Sequence, residues 1–346
     1  MRLLRMARRL VGRTLRRRER FEHWLSVLRL QRRAHRRDET DLFQPPETRS
    51  YRQIFVGGCP RSGTTWIRTI LANHPSVVST RESHAFERIF EPVTEQGCAR
   101  LSPWEAMLWR DHRQRETASD VGLRYYVPRD VLLGLVERAM HRCRQDPGVS
   151  DEDAAGGVIR QIFDYYFLHA ATNGETALVE KTPGNILHGD HVLRTFPEAR
   201  LIEVLRDGRD VCTSLEMRAK VVDWPQSERR DQIATWIQYA RRGNELHADP
   251  EFAPRIHRVR YEDMKGRPTE MIAELFSFAG LEYDDAMLAE IAKRTDFRNL
   301  TRPTGPEYHN RKGIVGDWRD HFTHEDEALF REMVGDLFAE CGYSYD

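Results

Sequence analysis

Five short apolar runs punctuate this chain, at residues 53–57, 76–80, 177–181, 200–206 and 255–260, with longer segments of helical spacing between them. Runs of that length predict strands, and spacers long enough to hold a helix predict parallel pairing, because parallel neighbours need a crossover. The alternation implies an α/β fold with a parallel central sheet flanked by helices. Between residues 88 and 174 the strand pattern stops. Helical periods over 129–143 and 158–171 predict a helical cap, and residues 146–157, rich in Asp and Gly, read as an exposed loop within it.

Composition narrows the class. A chain of 346 residues that is 40% apolar can bury one large core, so residues 46–346 read as a single domain. Lysine plus arginine and aspartate plus glutamate both number 54. The balance is uneven along the chain: residues 1–37 carry fourteen arginines against Glu19 and Glu22, a surplus of twelve, which leaves the remainder net acidic by twelve. Leu3, Ala7, Leu10 and Leu15 fall near one helical face with Leu4 and Val11 beside them, so residues 1–45 read as a basic amphipathic arm. Three readings stay open for it: contact with an anionic membrane surface, a transit peptide, or a solvated arm on the acidic body. No run reaches the roughly 18 apolar residues of a membrane span. Five cysteines (Cys59, Cys98, Cys143, Cys212, Cys341) form no Cys-x-x-Cys pair and read as free thiols in a reducing compartment. With the histidines scattered, no metal site is expected.

The chemistry concentrates in residues 57–66, Gly-Gly-Cys-Pro-Arg-Ser-Gly-Thr-Thr-Trp, which follow the first apolar run and open a helical segment. Strand, glycine loop and helix place the N–H groups of Ser62, Gly63, Thr64 and Thr65 toward an anion, with the helix dipole adding positive charge there. Gly58 and Gly63 keep the spacing of a nucleotide-phosphate loop, but Thr64 stands at its lysine position and Arg61 supplies the cation. A plain glycine turn is the alternative.

Residues 60–66 resemble the 5′-phosphosulfate loop of sulfotransferases that use 3′-phosphoadenosine 5′-phosphosulfate (PAPS). Residues 201–214, Leu-Ile-Glu-Val-Leu-Arg-Asp-Gly-Arg-Asp-Val-Cys-Thr-Ser, are similar to that family's 3′-phosphate segment, with Arg206 and Ser214 in the phosphate-binding positions. Residues 311–318, Arg-Lys-Gly-Ile-Val-Gly-Asp-Trp, resemble its C-terminal segment. The resemblance covers residues 51–323 and implies a three-layer, P-loop-like fold with a helical acceptor-side cap and PAPS as donor. It implies donor contacts from Arg61, Ser62, Gly63, Thr64, Thr65, Trp66, Arg206, Ser214, Arg311, Lys312 and Gly313, with Trp66 and Phe297 as candidates to stack on adenine. Weaker matches add Tyr261, in Arg-Tyr-Glu-Asp-Met at 260–264, and Thr295. Independently, a donor with phosphates at both ends of an adenosine needs two separated anion sites, and an arginine fork with a hydroxyl suits one of them.

Sulfuryl transfer needs a base for the acceptor proton and a cation for the bridging oxygen. Lys181 ends an apolar run just before Thr182 and Pro183, at a strand end where open α/β sheets gather their active sites. Cytosolic members of the family carry a histidine two residues after this lysine, and here Pro183 occupies that position. Glu82 is the candidate base, placed as in the tyrosylprotein-sulfotransferase branch, with His84 the runner-up. The expected reaction is in-line displacement by Glu82, Lys181 and Arg61. Tyr165, Tyr166, Trp104, Trp109 and Trp224 are candidates for an acceptor pocket or for core. The acceptor stays open among small molecule, glycan, lipid and protein, as does oligomeric state, because residues 321–327 depart from the family's dimer pattern. Family members of the Golgi usually carry a membrane anchor, so a cytoplasmic enzyme is expected, with peripheral membrane contact left to the arm. Two rivals remain: a P-loop kinase, which needs the missing lysine and magnesium ligands, and a basic-arm nucleic-acid-binding protein, which a groove lined with aromatics would favour.

Overall fold

A computed structural model describes residues 50–79, 81–91, 93, 122–146, 148–220, 225–296 and 313–345. The basic arm, Cys98, Trp104, Trp109, Trp224, Phe297, Arg311 and Lys312 lie outside them. Five strands appear where the apolar runs predict them: β1 (Arg52–Gly57), β2 (Val77–Ser79), β3 (Ala177–Lys181), β4 (Arg200–Leu205) and β5 (Ile256–Arg260). They form one sheet in the order β2-β3-β1-β4-β5, and each adjacent pair is parallel.

The central strands β3, β1 and β4 are buried on both faces, so successive side chains serve different layers. Phe55, Leu178 and Leu201 pack into one core with α3 (Asp151–Ala170), while Ile54, Val56, Val179 and Ile202 pack into another with α1 (Thr64–Leu71) and α8 (Pro268–Ala279). A third cluster joins α5 (Gly208–Ala219), α6 (Arg229–Ala248) and α10 (His324–Val334) around Trp236 and Phe330. The remaining helices are α2 (Arg129–Gln145), α4 (Gly189–Thr195), α7 (Tyr261–Gly266), α9 (Asp285–Thr295) and α11 (Leu337–Glu340).

Two expectations fail. Residues 151–157 are not a loop but the first turns of α3. Ser150 caps that helix, accepting from the Asp153 N–H at 3.0 Å, and Asp151, Glu152 and Asp153 sit at the positive end of its dipole. Ala154, Ala155 and Gly156 are buried, with Gly156 against Thr195. Nor are all the cysteines free. Cys59, Cys212 and Cys341 are buried thiols, but Cys143 is disulfide-bonded to a partner outside the described residues.

Candidate active site

The strand order changes direction at β1: the chain leaves β1 for β2 on one side and returns through β4 on the other. Ligands of open α/β sheets bind at such a switch point, beyond the strand carboxyl ends. The glycine loop lies there. It passes so close to its neighbours that a Cβ at Gly57 would stand 2.5 Å from the Ile186 nitrogen, and one at Gly58 would collide with the Val204 carbonyl. Arg61 adopts a left-handed φ of 76°, which costs a non-glycine residue about 1 kcal/mol. Gly63, at φ 103°, precedes α1, and a Cβ there would stand 2.7 Å from the Tyr261 ring.

One predicted anion donor is already used, since the Ser62 N–H donates to the Cys59 carbonyl at 3.0 Å. Among the described residues no backbone carbonyl accepts from the N–H groups of Gly63, Thr64 or Thr65. These three stand at the positive end of α1. The buried Ser62 hydroxyl has no hydrogen-bond partner there.

Two guanidinium groups meet beside this loop. Arg61 Nε donates to Ser214 Oγ at 3.1 Å, and Arg206 donates to the Arg61 carbonyl at 3.2 Å and the Ile314 carbonyl at 2.9 Å. Arg206 lies 4.5 Å above the Tyr261 ring, and its Nε has no partner among the described residues. Asp210, which sequence reasoning missed, accepts from the N–H groups of Gly316 at 2.8 Å and Trp318 at 3.0 Å. It thereby ties the segment that begins at Gly313 to the start of α5. The Trp66 indole donates to the Thr295 carbonyl at 2.8 Å, and its ring meets Tyr261 edge-on at 5.5 Å. The Thr295 hydroxyl bonds back to Ile291 within α9, so Thr295 steadies Trp66 through its backbone.

On the other side of β1, Lys181 is buried at the end of β3 and forms an ion pair with Glu82. The second Glu82 oxygen lies 3.2 Å from His84 Nε2, and His84 Nδ1 lies 2.6 Å from Glu87. Cation, anion, cation and anion thus follow in a row. Burial alone would push the Glu82 carboxyl up, but Lys181 and His84 outweigh it and hold Glu82 far below the usual carboxylate range. Burial pushes Lys181 down even with Glu82 beside it. Burial also opposes charge on His84, yet its hydrogen bonds to Glu82 and Glu87 win and raise it to about 9. An imidazolium with both N–H groups on carboxylates has no lone pair for an acceptor proton, which disfavours His84 as the base. Tyr165 and Tyr166, candidates for an acceptor pocket or for core, are buried in the core around α3.

The segment carrying Glu82 is held from several sides. The Gly122 N–H donates to the Glu82 carbonyl at 2.7 Å, and the Tyr126 hydroxyl to the Arg81 carbonyl at 2.7 Å. Glu180, also missed from sequence, binds the same segment from β3. A charged residue within an apolar strand was its only signal.

A family model described as the sulfotransferase family matches residues 53–285, more than half of the chain. The chain belongs to the sulfotransferase family. This sulfotransferase-family chain is 24% identical over 238 residues to "Protein-tyrosine sulfotransferase" of Drosophila melanogaster, a match covering 68% of the chain and 39% of that protein. It is 24% identical over 239 residues to "Protein-tyrosine sulfotransferase 1" of Danio rerio, covering 68% of the chain and 55% of that relative. A mouse sulfotransferase complexed with PAP aligns with a TM-score of 0.48 at 15% identity, covering 83% of this chain and 84% of that one.

Proposed function

We propose that this protein transfers the sulfuryl group of PAPS to an acceptor hydroxyl or amine, with Glu82 as base and Lys181 as the cation at the transferring group. The observation that carries the reading is the pair between buried Lys181 and half-buried Glu82 at the end of β3, one strand away from the phosphate loop. Ser62 Oγ and Arg206 Nε, both buried without partners among the described residues, fit a site that completes its hydrogen bonds on a ligand.

The bound donor supplies an activated sulfuryl group on a phosphosulfate anhydride. Arg61 and the N–H groups of Gly63, Thr64 and Thr65 hold its 5′ end, Arg206 and Ser214 its 3′-phosphate, and Trp66 and Tyr261 its base. Lys181 turns from Glu82 to the sulfuryl and bridging oxygens, which lifts the basicity of Glu82 at the moment it is needed. Glu82 takes the acceptor proton as the acceptor oxygen or nitrogen bonds to sulfur. The bond from sulfur to the bridging oxygen breaks, and 3′-phosphoadenosine 5′-phosphate (PAP) leaves.

The first test is calorimetric titration with PAP and with ATP, followed by a transfer assay from PAPS against tyrosyl peptides, phenols, glycans and lipids. PAP binding that ATP does not match, with transfer to one acceptor class, supports the reading. Preference for ATP with magnesium-dependent transfer sinks it and restores the kinase.

A further inference from the structure

β3 ends in two charged residues whose side chains leave opposite faces of the strand. Lys181 meets Glu82. Glu180 turns the other way, is 1% exposed, and among the described residues pairs with no cation. Its Oε1 accepts from the Ser83 N–H at 3.0 Å, the Ser83 hydroxyl at 2.9 Å and the Thr182 hydroxyl at 2.7 Å. Its Oε2 accepts from the Asn185 amide at 2.6 Å.

The partners pass this hold onward. Ser83 Oγ accepts from the Ala85 N–H at 3.2 Å, and Thr182 Oγ1 from the His84 N–H at 3.1 Å. His84 itself sits at φ 52°, a left-handed conformation that such bonds must hold in place. The Asn185 amide also donates to the Val56 carbonyl at 3.1 Å, reaching the strand that enters the phosphate loop. The donors on Glu180 therefore come from the residue beside the base, the residue beside the cation and the residue beside the phosphate loop.

We propose that Glu180 is a positioning residue for sulfuryl transfer: its carboxylate locks residues 82–85 to the end of β3 and sets Glu82 in register with Lys181 and the phosphate loop. This rests on the reading of Glu82 and Lys181 given above. Every neighbour of the two Glu180 oxygens is a donor, so the site calls for a group that only accepts. A glutamine has the same shape but turns one oxygen into a donor. Its NH2 would face either the Asn185 amide or the Ser83 N–H, and turning Asn185 over would set its oxygen against the Val56 carbonyl.

The test compares Glu180→Gln with Arg258→Gln in the full chain. Arg258 serves the other buried strand carboxylate, Glu203, at 2.8 Å and far from residues 82–85 in the chain, so it controls for lost stability alone. Glu180→Gln should lower kcat by roughly 10- to 100-fold, as a small misplacement of a reacting group does. PAP affinity and the KM for donor should stay within about twofold of wild type. Arg258→Gln should lose thermal stability and keep kcat. A second readout needs no turnover: the His84 imidazole titration by NMR, assigned through His84→Gln. Glu82 and Glu87 face that ring directly, while Lys181 faces Glu82, Arg88 and His188 act on Glu87, and Tyr239 reaches both carboxylates. Slippage of residues 82–85 should move the titration from about 9 toward the ordinary histidine range in Glu180→Gln and leave it in Arg258→Gln. Unchanged kcat with an unchanged His84 titration overturns the proposal. So does a PAP affinity that falls in step with kcat. A wild-type protein without sulfuryl transfer overturns the proposed function instead, and the His84 titration then still decides whether Glu180 positions the segment.

Discussion

The two halves of the site neutralise charge to different degrees. On the β4 side, Arg61 and Arg206 donate to a hydroxyl and to backbone carbonyls, and Asp210, 3.5 Å from Arg206, shares its two oxygens with the N–H groups of Gly316 and Trp318. On the β3 side, Lys181, Glu82, His84 and Glu87 neutralise one another in sequence. Two guanidinium groups against one carboxylate whose oxygens are shared with backbone N–H groups leave positive field for an anionic ligand. A half-buried base and its buried cation face a stricter demand. Apart they would be costly to bury, so they stay paired until a substrate takes one of them.

If that contrast holds, breaking each half should damage a different quantity. Glu82→Gln should have the largest effect, lowering kcat by about 1000-fold while PAP affinity measured by calorimetry stays within about twofold. An equal loss of PAP binding would erase the distinction between the halves. Arg206→Ala should weaken PAP by roughly 10- to 100-fold, because charge-assisted hydrogen bonds to a phosphate disappear, and the remaining affinity should depend less on salt. Asp210→Asn should cost less, about fivefold in PAP affinity with kcat at saturation intact, since one amide hydrogen then faces the Gly316 or Trp318 N–H and loosens that segment.

The smallest effect sharpens the contrast through pH. His84 is raised to about 9 in the folded chain, above the ordinary histidine range, so its ion pairs add stability that is complete below about pH 6.5. That contribution disappears as pH rises through about 9. The melting difference between wild type and His84→Asn should therefore be widest near pH 6, on the order of 2 kcal/mol, and close by pH 10. No such window should accompany Arg206→Ala.

The strands and the phosphate loop were legible because their causes are local. Alternation fixes which layer Phe55 and Val56 enter, and the glycines at 57 and 58 mark a backbone squeezed between neighbours. The misread start of α3 was local too: acidic residues and glycines argued loop, but Ser150 three residues before Asp153 is a helix start. Glu180 and Asp210 were not legible, since the partners that tie them to other segments, Ser83 and Gly316, lie 97 and 106 residues away and give no pattern in sequence. The same distance hid the ion pairing of Glu82, whose position was readable while its resting partner was not.

Strand order carries a consequence for recombination. With β2-β3-β1-β4-β5, the base segment grows from the β2–β3 edge, whereas the guanidinium site and Tyr261 grow from the β4–β5 edge. The central strand stands between them as a partition. The chain passes from one margin to the other once, between β3 and β4, so a chimera joined between Lys181 and Arg200 would take Glu82 and Lys181 from one parent and Arg206, Ser214 and Tyr261 from the other.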